Sequence, residues 1–263
     1  MVDILLYILA GAGVGFAIGL TGVGGGSLMT PLLLFFGFPP PVAIGTDLLY
    51  AALTKAGGAY SHHRRGNIDW RIVALLAIGS LPVSVLLHLV LANSGFQDSD
   101  GFAELLTSSL GIMLIITAII LILRDKMRLR ATRAENSPVM KLVHEHAAAS
   151  TVVMGILLGV CVTLSSVGAG AFGAAVLLVI YSSTPAIRII GTDVAHAVPL
   201  TLVAGLGYLV SGYVDGWLLL SLLAGSLPAI HLGTHVSSNV PERLLQRVLM
   251  VLLLLLGLNY AFL

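Results

Sequence analysis

Thr21-Gly22-Val23-Gly24-Gly25-Gly26-Ser27 sets four glycines between two apolar runs, Ile4 to Leu20 before it and Leu28 to Phe38 after it. A weaker version, Val167-Gly168-Ala169-Gly170-Ala171-Phe172-Gly173, recurs 146 positions later. Each helix-interior glycine costs about 1 kcal/mol relative to alanine, so such a cluster breaks a helix. What the break means depends on the solvent around its flanks. In lipid, the N–H and C=O groups freed by a break cannot face hydrocarbon, and they must turn toward protein or a wet cavity.

The composition selects lipid. Of 263 residues, 57% are hydrophobic and 10% charged, against about 25% charged in a soluble domain, and the mean hydropathy is +1.03. The formal net charge is +1, with no basic face that would suit nucleic acid. The single cysteine, Cys161, lies in an apolar run and reads as a small buried residue. Met1-Val2-Asp3 lacks a positive leader, so Ile4 to Leu20 reads as a mature membrane segment rather than a signal peptide. No nucleotide-binding loop, Ser/His/Asp arrangement or cysteine ligand set is present, so neither an enzyme nor a cofactor is expected.

The other apolar segments are 45–61, 72–92, 105–123, 151–164, 172–181, 192–210, 217–236 and 248–263. Gly11, Gly15 and Gly19 share one face of the first segment, a small-residue ladder that lets helices approach closely. Phe38-Pro39-Pro40-Pro41 ends the short piece after the first glycine cluster.

The chain repeats itself. Gly13-Val14 matches Gly159-Val160, Ile44-Gly45-Thr46-Asp47 matches Ile190-Gly191-Thr192-Asp193, and Gly79-Ser80-Leu81-Pro82 matches Gly225-Ser226-Leu227-Pro228, all at a gapless offset of 146. Equivalent loops differ in charge. The 62–71 loop is basic where 208–217 is not, 38–44 lacks the basic residue that 184–190 has in Arg188, and 93–103 is acidic where 237–247 is basic. Basic loops stay cytoplasmic, so this alternation predicts inverted-topology repeats, the architecture of many secondary transporters. The expected division is a first membrane repeat at 1–123, a basic cytoplasmic linker at 124–147 and a second repeat at 148–263. The fold class expected is an all-α polytopic membrane protein with eight to ten hydrophobic helical segments and glycine-broken helices.

Candidate site residues follow from the breaks and from charges in apolar segments. A helix restarting after each break would present N–H groups and a positive dipole end to an anion. That makes Thr21, Gly22, Gly24, Gly25, Gly26, Ser27, Ser166, Gly168 and Gly170 the candidate anion-binding set. Lys55, near the middle of its segment, is the candidate counter-charge. Its equivalent in the second repeat is Thr201, so this charge is unsymmetric. Asp47 and Asp193, each after Gly-Thr, are either proton-coupling carboxyls or helix caps. His196 is a third coupling candidate, with a packed, hydrogen-bonded histidine as the plainer account. Asp69 and Asp215 read as N-caps. His231 and His235 share a face, but without a third ligand they do not define a metal site.

The ordered motifs carry a resemblance. Gly-Val-Gly-Gly-Gly-Ser-Leu-x-x-Pro from Gly22, Pro-Pro-x-Val-Ala-x-Gly-Thr at the start of the next segment, His-x-Arg-Arg-Gly-Asn-Ile-Asp-Trp-Arg from His62, and Gly-Ser-Leu-Pro from Gly79 resemble the TauE/SafE sulfite exporter family over nearly the whole chain. The resemblance implies a multi-pass permease of the bacterial inner membrane. Its implied substrate is a small sulfur-containing anion such as sulfite, sulfoacetate or thiosulfate, moved in either direction. Members of that family often carry serine or another small residue where this chain has Asp47. An acid there in both repeats points to protons as the coupling ion or to a less typical substrate. The expected partners are therefore the lipid bilayer, the anion and protons. A channel, or a metal- or sulfur-trafficking subunit using the histidines, is the alternative.

Overall fold

The computed structural model describes residues 2–21, 28–133, 145–237 and 242–262, and its regular structure there is helical throughout. The helices are α1 (Val2–Thr21), α2 (Met29–Phe35), α3 (Pro40–Arg64), α4 (Trp70–Asn93), α5 (Asp100–Arg133), α6 (Ala147–Ser165), α7 (Ala171–Ile180), α8 (Ala186–Val210), α9 (Gly216–Ser237) and α10 (Glu242–Phe262). Five segments, in α4, α5, α6, α8 and α9, are long and apolar enough to cross a membrane, and shorter apolar stretches lie in α1, α7 and α10. The protein is thus a polytopic membrane protein. Its outer face carries large apolar side chains such as Leu86, Leu89, Val210, Trp217 and Leu255, as lipid contact requires.

Several boundaries differ from the sequence reading, each for a local reason. Pro40 and Pro41 form the first turn of α3, because proline lacks an N–H only where the first turn has no use for one. They start a helix as well as closing off the preceding piece. The same helix runs through His62 and His63 to Arg64, into the stretch read as a polar turn. Asp69 caps α4 by accepting from the N–H groups of Arg71 and Ile72, and Asp215 caps α9 by accepting from Trp217 and Leu218. Helix α5 continues to Arg133, beyond the expected start of the linker, and 134–144 lies outside the described residues.

Close packing is organised by glycine. Gly11, Gly15 and Gly19 of α1 lie against Leu222, Ser226 and Ile230 of α9, so the two helices run parallel. Gly155 and Gly159 of α6 lie against Leu76 and Ser80 of α4, and Thr163 donates to Ser84 one turn on. Leu76, Ser80 and Ser84 map on Leu222, Ser226 and Ile230 at an offset of 146, but Gly11, Gly15 and Gly19 map on Gly155, Gly159 and Thr163 at 144. The gapless register is therefore corrected. Gly159 answers to Gly15, not Gly13, and the second half carries two extra residues between its first helix and its central one. Gly13 has no heavy atom near its side-chain position.

The centre is the antiparallel pair α3 and α8. Gly45 packs on Tyr208, Leu49 on Gly205, Gly58 on Val194 and His62 on Gly191. The end contacts mirror each other: Gly45 meets Tyr208 and the Tyr213 carbonyl, while Gly191 meets His62 and the Asn67 carbonyl. Two cross-links tie this pair to its flanks. Tyr50 hydrogen-bonds Ser226 at 2.5 Å, and His196, its equivalent, hydrogen-bonds Ser80 at 2.8 Å. Helices α5 and α10 also pack antiparallel, Gly111 on Ala261 and Gly257 on Ile115.

The corrected register gives a direct test. Gly15→Val drives a side chain into the α9 backbone, and overpacking of this kind costs about 1–3 kcal/mol or more. Gly13→Val meets open space. Thermal unfolding in detergent should show a clear loss for Gly15→Val and near-wild-type stability for Gly13→Val. The opposite ranking would restore the gapless register.

Candidate functional site

The second break has a defined shape. Helix α6 ends at Ser165, whose hydroxyl donates to the Cys161 carbonyl at 2.6 Å and accepts from the Val167 N–H at 3.2 Å. Ser166 then takes a left-handed conformation, φ 57°, and Gly168 and Gly170 sit at φ 128° and 125°. Only glycine tolerates the last two without strain, whereas a serine at positive φ costs of order 1–3 kcal/mol and marks a position worth explaining. Helix α7 restarts with Gly173 donating to the Gly168 carbonyl at 3.0 Å.

Each restarting helix meets a buried carboxylate. Asp47 Oδ2 accepts from the backbone N–H of Thr30 at 3.2 Å and from its hydroxyl at 2.5 Å. Thr30 is the second residue of α2, so Asp47 caps that helix from across the fold. Asp193 lies against Gly173 in the first turn of α7, where a Cβ would collide with its Oδ1. Both acids are eight residues into their own helices. They are not caps of α3 and α8, and this decides against the own-helix capping reading. In α2 the Thr30 N–H and hydroxyl are thus taken up by the protein's own carboxylate, Asp47.

The remaining candidates converge on the same region. Lys55, 6% exposed, donates to the Ala169 carbonyl of the second break at 3.4 Å. Its ammonium acts on Asp193 first and Asp47 second, and on His196. Lys55 is nearer the C-terminal end of α3 than expected, but the midpoint between the Gly45 and His62 contacts falls beside it. The central pair, not the helix, sets its depth. Ser166 lies beside Asp47. Among the described residues, Asp47 Oδ1, Asp193 Oδ1 and His196 Nδ1 are buried without a hydrogen-bond partner. Such groups are costly to leave unmade and ask for a reason.

A cavity among the described residues reaches this centre at Lys55. It is half-open, about 300 Å³, and runs from Lys55 and Thr54 past Gly58 to Ser61 and His62, walled by Gly19, Val194, Ile230 and Thr234. Thr21 ends α1 beside it in sequence, and Gly22, Gly24, Gly25, Gly26 and Ser27 lie outside the described residues. Of the other candidates, Lys55, Asp47, Asp193, His196, Ser166, Gly168 and Gly170 are brought together. His231 and His235 are exposed on α9, and among the described residues no three His, Cys, Asp or Glu side chains could share a metal ion. Sequence reasoning missed Thr30, Gly173, Tyr50 and Ser226. The offset pairing Tyr50 with His196 was available, but their unlike chemistry hid it.

Buried charges between broken, glycine-packed helices define a membrane permease, and comparison places it. The profile of the family Sulfite exporter TauE/SafE matches residues 7–260, and the chain belongs to that family of membrane transporters. A Bacillus subtilis protein, "Probable membrane transporter protein YjnA", is 38% identical over 96% of this chain and 97% of its own length. "Probable membrane transporter protein YdhB" of the same organism is 27% identical over 98% and 100%. A Haemophilus influenzae "Probable membrane transporter protein" is 26% identical over 97% of each. No solved structure matches the chain significantly.

The tight seat of Asp193 is testable. Gly173→Ala should lower the thermal stability of the purified protein, and adding Asp193→Ala, which removes the colliding oxygen, should restore part of the loss. Additive losses in the double variant would show that the two residues do not touch.

Proposed function

We propose that this chain is a secondary transporter of a small sulfur-containing anion, with Lys55 as the counter-charge, working by alternating access between two inverted repeats. The carrying observation is Lys55: a buried ammonium that lines a half-open cavity, donates to one carbonyl and interacts with two carboxyls. A charge buried in a membrane domain marks an ion or substrate path by default. The antiparallel packing of the equivalent helices α3 and α8 supports inversion, because a two-fold axis in the membrane plane produces that relation. The family description, Sulfite exporter TauE/SafE, supports the choice of anion. The setting is the bacterial inner membrane, with the linker and the His62 end of the cavity on the cytoplasmic side, as the basic residues dictate. Reporter fusions within 134–144 should read cytoplasmic.

The test is a ligand panel. Sulfite, thiosulfate and sulfoacetate, with carboxylates as controls, are added to purified protein and the unfolding temperature is measured. At least one sulfur oxyanion should raise it, and Lys55→Met should abolish the shift while the fold survives. No shift with any oxyanion would sink the anion site.

Charge balance supplies the coupling. One ammonium and two carboxyls are neutral only if one carboxyl holds a proton. A monovalent anion such as hydrogensulfite, paired with Lys55, restores neutrality only if the second carboxyl takes one up, since uncompensated buried charge is expensive. Anion and proton therefore move together. In proteoliposomes the anion should flow toward the alkaline compartment under a pH gradient, and Asp193→Asn should remove that dependence. Gradient-independent flux through the wild-type protein would exclude coupling.

A further inference from the structure

The open cavity beside Lys55 has an equivalent that is shut. The register that relates the halves carries His62 to Tyr208, Ile230 to Ser84, Thr234 to His88 and, through the 144 offset, Gly19 to Thr163. The first set lines a cavity. In the second set Tyr208, Thr163 and Ser84 are packed against one another, and His88 borders, with Gly207, a separate cavity of about 360 Å³ between α4 and α8 that stops short of them. The Tyr208 hydroxyl donates to the Thr163 carbonyl at 3.0 Å, and the Thr163 hydroxyl donates to Ser84 at 2.8 Å. The His88 ring meets the Tyr208 ring edge-on at 5.0 Å. Ser84 and Thr163 are fully buried and Tyr208 is 2% exposed.

The packing shows which parts differ and which do not. His62 rests on Gly191 as Tyr208 rests on Gly45, so the central pair α3 and α8 is the same at both ends. The flanking pairs, α1 with α9 and α4 with α6, are likewise equivalent in their glycine contacts. What differs is the fit between the central pair and its flanks. At its Tyr208 end the pair is pressed against α4 and α6, and at its His62 end it stands off from α1 and α9.

We propose that Tyr208, Thr163, Ser84 and His88 form the closed gate of a second route to the Asp47–Lys55 centre. The two routes alternate as the central pair rocks between its flanks. This rests on the transport reading above and adds to it the identity of the shut gate. Rocking exchanges the environments of equivalent residues: His62 comes to lie against Gly19 and Thr234, and Tyr208 leaves Thr163 and His88. The interconverting states are then near mirror images, which keeps the energy gap between them within reach of ligand binding.

The test locks the gate. A Cβ at Gly207 would stand against the His88 ring, so Gly207→Cys with His88→Cys, in a Cys161→Ala background, places two sulfurs within bonding reach. Uptake of radiolabelled sulfite, thiosulfate and sulfoacetate is followed in proteoliposomes. Oxidation should reduce transport at least tenfold, reductant should restore it, and the oxyanion-induced thermal shift should persist, because the His62 route stays open. Undiminished transport by the oxidised protein would overturn the gate, as would loss of the thermal shift on oxidation. Absence of transport by the wild-type and reduced proteins alike would instead sink the transport reading. A second measurement needs no cross-link. In resting membranes a water-soluble maleimide should modify His62→Cys and spare Ala204→Cys beside Tyr208, and equal rates at the two positions would show that no gate is shut.

Discussion

The fold is built around carboxylates that answer helix ends. Breaking a helix in lipid leaves N–H groups that nothing outside the protein can satisfy. Here Asp47 reaches from α3 to the first turn of α2, and Asp193 reaches from α8 to the first turn of α7. The acids stabilise the breaks, and the breaks give two buried carboxyls a reason to exist. Lys55 then offsets part of their charge and ties itself to the second break. The glycines of the sequence, the acids of the central helices and the lone intramembrane lysine are one electrostatic unit.

Much of this was legible in the sequence because it depends on pattern. Hydropathy gives the membrane class, and glycine ladders give the faces that touch. The N-caps at Asp69 and Asp215 were readable from residue type and position alone. The division of labour within the site was not. Whether a helix N-terminus holds a foreign anion or the side chain of Asp47 is a matter of tertiary reach across 17 residues. No local rule encodes it. The two-residue shift in the first helix also escaped, since Gly13 and Gly159 align by eye while the packing selects Gly15. Sequence similarity counts identities, and packing counts which face the glycine is on.

The symmetry is broken where chemistry needs it. Tyr50 and His196 hold equivalent serines, and His62 and Tyr208 hold equivalent glycines, yet Lys55 is answered by Thr201. One central cation serves two acids, so a duplicated scaffold holds a single site. A second lysine at 201 would place two ammonium groups beside the same crossing point, and their repulsion in a low dielectric would be severe.

The pairing of α1 with α9 also bears on how the chain is made. Gly11 packs on Leu222, so α1 leaves the ribosome well before its partner, which lies more than 200 residues downstream. At ~5–20 residues per second that delay is roughly 10–40 s. During it the glycine face of α1 has only lipid or a chaperone against it. Helices α4 and α6 close sooner, because Leu76 and Gly155 are neighbours across a shorter stretch. The order of synthesis therefore favours a nucleus of α4, α6 and α8 in which the far side is already sealed. The wall that borders the open cavity forms after that nucleus, and the pairing of α5 with α10 follows it.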